Sequence, residues 1–105
     1  MKALFIDDER IPKDVFWINY PENLQWDIVR NYNQATEYIT INGLPEFISF
    51  DNDLGEPKEG YDILKWLIEY CLDHNLKLPI CAVHTKNCEA ADNMINLINN
   101  FNKQS

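Results

Sequence analysis

No apolar run in this sequence of 105 residues approaches the roughly 20 needed to cross a bilayer, which excludes a membrane-spanning helix. The opening stretch MKALFIDDER turns acidic before a secretory signal could be completed, so a cytoplasmic protein with no membrane partner is expected. Cysteine is sparse and unpatterned. Cys71, Cys81 and Cys88 cannot all pair within the chain, and no CxxC or Cys/His spacing points to zinc. Reduced thiols are expected, with Cys71 and Cys81 as small fillers among apolar neighbours. Basic charge is also lacking: nine Lys and Arg stand against seventeen Asp and Glu, a formal net charge of -8, and no basic stripe interrupts the acidic balance. Long nucleic acid is an unsuitable ligand for such a surface. A small phosphorylated molecule is not excluded, because a metal ion, an arginine and backbone N–H groups can hold one locally. Repeats, linkers and low-complexity segments are absent, and the length suits one domain over residues 1–105 with a single core.

What is present is an alternation of short apolar runs and helical patterns. Ala3-Leu4-Phe5-Ile6 is almost wholly apolar and ends abruptly in Asp7-Asp8-Glu9, as a central parallel strand covered on both faces would read. Residues 10 to 25 carry Pro12, Pro21 and several aromatics with no helical period, so a loop with at most a short helix is expected. A second strand is predicted at Trp26–Arg30, then a helix capped by Asn33 running through Ala35, Tyr38 and Ile39 to the stop at Asn42-Gly43. Glu46–Phe50 predicts a third strand, which again runs straight into acid at Asp51-Asn52-Asp53. Ile63, Leu64, Leu67, Ile68, Cys71 and Leu72 recur on one helical face, ending near His74-Asn75. Pro79–Val83 predicts a fourth strand ending at His84-Thr85-Lys86-Asn87, and Ala91, Met94, Ile95, Ile98 and Phe101 a closing helix.

Strands alternating with helices imply right-handed crossovers and a parallel sheet whose strands all finish on one edge. In open sheets of this kind ligands sit beyond those carboxyl ends. Asp7, Asp8, Asp51, Asp53 and His84 are therefore expected to meet there. Carboxylates crowded into a partly desolvated crevice must share protons, pair with cations or bind a metal. Asp7, Asp8 and Asp51 are the candidate ligands, and an oxygen-only set suits Mg2+ or Mn2+. A single strand-end Asp is commonly no more than a helix cap, but four at two strand exits favour a site. His84 beside carboxylates could move protons, as could Asp53, whereas His74 sits at a helix end and complements its dipole. Arg10, Thr85 and Asn87 are candidates for holding phosphate oxygens; pairing of Arg10 with Glu9 or Asp8, and N-capping by Thr85 or Asn87, are the plainer alternatives. Core packing is the expected role for most of Trp17, Trp26 and Trp66, with a base-stacking surface as the alternative.

Four ordered blocks resemble the cyclic-phosphate processing receiver-like family, a divergent branch of the response-regulator receiver fold. They are Leu4-Phe5-Ile6-Asp7-Asp8-Glu9-Arg10-Ile11-Pro12, Ile48-Ser49-Phe50-Asp51-Asn52-Asp53-Leu54-Gly55, Gly60-Tyr61-Asp62, and Val83-His84-Thr85-Lys86-Asn87 with Ala90 and Asn93-Met94. The resemblance implies a compact flavodoxin-like three-layer α/β domain with about four parallel strands and no evident fifth. It further implies a phosphoesterase acting on cyclic phosphates of small nucleotides or ADP-ribose derivatives. By position, Asp7, Asp8, Asp51 and Asp53 would form the acidic metal-binding or catalytic group, with Arg10, His84, Thr85 and Asn87 around the phosphate.

Two departures from the family pattern stand out. Its histidine between the aspartates of the second block is Asn52 here, and Cys88-Glu89 replaces the more usual proline and apolar residues after Asn87. Asn52 weakens a two-histidine mechanism, leaving an aspartate or metal-bound water to partner His84. The alternatives are a non-catalytic module binding a nucleotide or protein through the same crevice, and a phosphoacceptor receiver using Asp51. The second lacks the fifth-strand lysine that conventional receivers place, and Lys86 is not an evident replacement.

Overall fold

The computed structural model describes residues 1–104. Strands β1 (Lys2–Ile6), β2 (Gln25–Val29), β3 (Phe47–Phe50) and β4 (Ile80–Val83) alternate with helices α1 (Tyr32–Asn42), α2 (Gly60–Asp73) and α3 (Cys88–Gln104). The sheet is entirely parallel, in the order β2-β1-β3-β4. This is the receiver-like α/β arrangement that the alternation implied, and no fifth strand occurs among the described residues.

Topology assigns the faces. The chain steps outward from β1 to β2, then reverses across the sheet to β3 and β4. Right-handed crossovers therefore put the two later connections on one face and the first on the other. Leu4, Ile6, Ile48 and Phe50 accordingly pack with Ala35, Ile39, Ile63, Leu64, Leu67, Met94 and Ile98 in one buried core. The alternate residues Phe5 and Phe47 turn the opposite way, into an edge-to-face cluster with Trp26 and Tyr20. The third layer is thus an irregular segment with a single 3-10 turn at Pro12–Asp14, where the proline-broken sequence can supply no helix.

Local chemistry sets the ends of the elements. The cap of α1 is Asn31 and not Asn33: Asn31 has extended backbone and its side chain accepts from the Gln34 N–H at 2.8 Å. Gly43, at φ 83°, stops the helix as expected. At α2 the first residue must be glycine, because a Cβ on Gly60 would overlap the Asp51 carbonyl oxygen and come 2.9 Å from the Asn52 Cα. Gly60→Ala is therefore expected to destabilise the protein by about 2–3 kcal/mol, since backbone and not a flexible side chain must move. Urea denaturation checks this; an unchanged midpoint would contradict the close approach.

The thiols and His74 fall as anticipated. Cys71 is buried, Cys81 half-buried and Cys88 exposed, all free. Burial pushes the Cys81 thiol up to about 12, so it is inert as a nucleophile at neutral pH. His74 caps α2, with Nδ1 2.8 Å from the Tyr70 carbonyl.

Candidate functional site

The ladder of the sheet runs one residue past the strands. The Asp51 N–H donates to the Ile6 carbonyl at 2.8 Å, the His84 N–H to the Phe50 carbonyl at 2.9 Å, and the Asp7 N–H to the Val29 carbonyl at 3.2 Å. Because Ile6, Phe50 and Val83 stand in register, the next residues Asp7, Asp51 and His84 form one row. Side chains alternate faces along a strand, so all three project to the side of the irregular layer. One carboxylate oxygen of each Asp and a ring nitrogen of His84 lie within 4.8 Å of one another.

Asp7 is fully buried, and its oxygens are heavily engaged. Oδ1 accepts from the backbone N–H groups of Glu9 (3.0 Å) and Arg10 (2.8 Å), and Oδ2 faces His84 Nε2 (2.9 Å) and the Arg10 guanidinium (3.4 Å). A carboxylate offers about four acceptor positions, and four donors point at this one. Burial alone would raise its pKa, but the two backbone donors and His84 outweigh that and hold it below 3.8. Arg30 pins the same turn from behind, donating to the carbonyls of Asp7 (3.2 Å) and Arg10 (2.7 Å).

His84 is fully buried and has both ring nitrogens engaged, Nε2 with Asp7 and Nδ1 with Ser49 Oγ at 2.7 Å. Ser49 Oγ is in turn 2.6 Å from the Tyr20 hydroxyl. The ring stacks on Phe5, nearly parallel at 4.5 Å, and Trp17 Nε1 donates to the His84 carbonyl at 2.9 Å. Desolvation lowers the His84 pKa below 6.5 despite the carboxylate beside it, so the ring is neutral at pH 7. A neutral ring carrying its proton on Nε2 donates to Asp7 and accepts from Ser49, which satisfies both contacts. The sequence placed His84 correctly beside the aspartates. It did not reveal that the imidazole lies beneath them and away from solvent, oriented by Ser49 and Tyr20.

Asp51 is the opposite case. It is 4% exposed and accepts from its neighbour's N–H at 2.8 Å, with the Arg10 guanidinium at 4.0 Å. Desolvation and the adjacent Asp7 charge push its pKa up to about 6, against the weaker pull of Asn52, Thr85 and Arg10. An incompletely compensated carboxylate is left at the edge of a crevice of about 360 Å3, lined also by Asp8, Glu9, Arg10, Asp53, Gly55, Thr85, Lys86 and Asn87. Asp8 and Asp53 are exposed. The donor set fits a hard divalent cation: its oxygens carry more negative charge than Arg10 and Lys86 neutralise.

Several residues turn out to hold the loops. Asn87 Oδ1 accepts from the Ala90 N–H at 3.2 Å and so caps α3, while Thr85 Oγ1 accepts from the Asn87 N–H at 3.3 Å. Asn52, at the family's histidine position, is 8% exposed and faces inward. It donates to Asp53 and Glu59 and accepts from the Tyr61 N–H, tying the β3 exit to the start of α2. Lys86 holds its ammonium 4.2 Å from the Trp17 ring centroid.

A single-layered parallel sheet flanked by helices on one face, with an aspartate pair after β1, an aspartate after β3 and a polar exit after β4, defines a receiver-like domain. The family model of the cyclic-phosphate processing receiver domain matches residues 2–100, and the chain belongs to that family. No curated protein matches it. Among solved structures it is similar to a fusion chain described as a yeast Spc42 trimeric coiled coil, amino acids 181–211, joined to another structure. That likeness has a TM-score of 0.60 at 21% identity, and covers 92% of this chain and 60% of the other. It bears on the fold alone. No helix among the described residues is long and apolar enough to cross a membrane.

Proposed function

We propose that the protein is a metal-assisted phosphoesterase that opens the cyclic phosphate of a small nucleotide or ADP-ribose derivative. The observation that carries this reading is Asp51, a nearly buried carboxylate raised to about 6 by its surroundings and by Asp7, at the rim of a crevice that also carries Arg10 and Lys86. Such a site gains from a cation and a phosphate together, each relieving the charge that would repel the other. Asp8 and Asp51 would hold Mg2+ or Mn2+, with Asp7 immediately behind them. The bound ion would polarise the phosphoryl group and lower the pKa of water.

The chain's own residues do the rest. Arg10, held over Trp17 at 5.3 Å, meets a phosphoryl oxygen with its guanidinium. Asp53, exposed on the crevice wall, takes the proton from the water that attacks phosphorus and hands it to the ribose oxygen that leaves as its P–O bond breaks. His84 has no nitrogen facing the crevice, so it orients Asp7. Thr85 and Asn87 shape the last turn around the phosphate.

The test is incubation with Mg2+ or Mn2+ and a panel of nucleoside cyclic phosphates, following ring-opened product. Turnover is expected, falling by about 100-fold or more in Asp53→Asn. Binding without turnover under either metal would sink the enzyme and leave a non-catalytic binding module. Labelling of Asp51 by acetyl phosphate would instead establish a phosphoacceptor, a role opposed by the stacking of Lys86 on Trp17.

A further inference from the structure

Phe16 is 84% exposed, whereas Phe5, Phe47 and Phe50 are each at most 4% exposed. It stands edge-on to Trp17 with ring centroids 5.2 Å apart. Two crevice cations close on this pair: the Lys86 ammonium lies 4.2 Å from the Trp17 centroid and 5.7 Å from that of Phe16, and the Arg10 guanidinium carbon lies 5.3 Å from Trp17. Arg10 also reaches within 4.0 Å of Asp51. The path from the acidic row outward is therefore carboxylate, guanidinium, indole, phenyl ring. A lone exposed aromatic is ordinary, but one beside Lys86, which lines a phosphate-sized crevice, and against a Trp17 ring that also carries Arg10 is placed to receive what the phosphate is attached to.

We propose that Phe16 is the stacking platform for the nucleobase of the ligand, with Trp17 as its rigid support and Lys86 and Arg10 marking the phosphate side. This rests on the cyclic-phosphate reading for the crevice and narrows its substrate class to phosphates carrying an aromatic base, over bare sugar phosphates. Trp17 cannot serve directly: its indole N–H is committed to the His84 carbonyl and cations approach its face. Phe16 keeps an open face and tolerates any base, because every base presents a π surface. Its exposure also makes Phe16→Ala a substitution that leaves the core untouched.

The test compares AMP with ribose 5-phosphate by calorimetric titration of the whole chain in Mg2+. The two probes differ only by the base, and neither needs turnover. Wild type is expected to prefer AMP about tenfold, the ratio to collapse to within about twofold in Phe16→Ala, and Phe16→Trp to restore it. A wild type that binds both probes alike or neither, or a Phe16→Ala variant that keeps the preference, overturns the proposal. The outcomes separate from those of the enzyme assay. A Phe16-dependent preference without ring opening keeps the platform and removes the hydrolase; ring opening with no such preference does the reverse.

Discussion

Metal-free protein carrying Asp51→Asn is expected to be more stable than wild type, by about 1–3 kcal/mol at pH 7, while losing stabilisation by divalent cations. Raising a nearly buried carboxyl from 3.8 to about 6 corresponds to roughly 3 kcal/mol against the ionised form, an upper bound once relaxation is allowed. Asparagine has nearly the same shape, can still accept from the Asn52 N–H, and carries no charge beside Asp7. For a domain this small the gain is a rise in Tm of about 5–15 °C in EDTA. With Mg2+ at about 100 times its Kd the variant's advantage should shrink by about 2.7 kcal/mol, because wild type gains stabilisation that the variant cannot. Thermal melts in EDTA and in Mg2+ decide the matter. A variant no more stable than wild type in EDTA, or shifted equally by the metal, would contradict the charge assignment.

The same two proteins separate the pH dependence. Asp51, raised in the folded state, binds its proton more tightly there, so its contribution to stability is lost as pH climbs from about 4 through about 6. His84, lowered by desolvation, acts in the opposite sense: its contribution is full above 6.5 and is lost as pH falls through its depressed folded value. Asp7, also lowered, adds stability above 3.8 that is lost in stronger acid. In wild type the first two partly cancel between about pH 4 and 6.5. The difference curve between wild type and Asp51→Asn isolates Asp51 and is expected to grow with pH across that interval, then flatten.

How much of this was legible in the sequence depends on what each feature rests on. Runs such as Ala3–Ile6 and Phe47–Phe50 announce buried parallel strands, and the acid that ends them marks the sheet edge, so the strands and the approach of Asp7, Asp51 and His84 could be read directly. Their common parity across the register was the hidden reason they converge. The irregular third layer was visible as a lack of period around Pro12 and Pro21, but its content was not. Tyr20 reaching Ser49, Trp17 reaching the His84 carbonyl and Arg30 reaching across to Asp7 are contacts between residues 23 to 67 positions apart. No local pattern encodes such pairs. The cap at Asn31 was missed because two asparagines stand two residues apart and only the backbone chooses between them. The platform of Phe16 has no sequence signal beyond an aromatic in a loop.

Asp7→Asn is expected to reverse the hydrogen-bond polarity of the buried chain from Asp7 to Tyr20 and to cost about 2–4 kcal/mol. The amide oxygen must take the place of Oδ1, since turning it the other way would aim an NH2 group at the N–H groups of both Glu9 and Arg10. Nδ2 then faces His84 Nε2, donor against donor, unless the imidazole carries its proton on Nδ1 instead. That tautomer donates to Ser49 Oγ, which must donate to Tyr20, whose half-buried hydroxyl turns its own proton elsewhere. The bonds from the Glu9 and Arg10 N–H groups and the contacts on to Tyr20 can survive the reversal, so the protein should fold, but the backbone bonds lose their charge assistance and the Arg10 guanidinium loses its acceptor. Nitrogen chemical shifts of His84 report the outcome directly: Nε2 protonated in wild type, Nδ1 protonated in the variant, with urea denaturation giving the stability change. An imidazole that keeps its proton on Nε2 in Asp7→Asn, with unchanged stability, would mean that Asp7 does not set the state of His84.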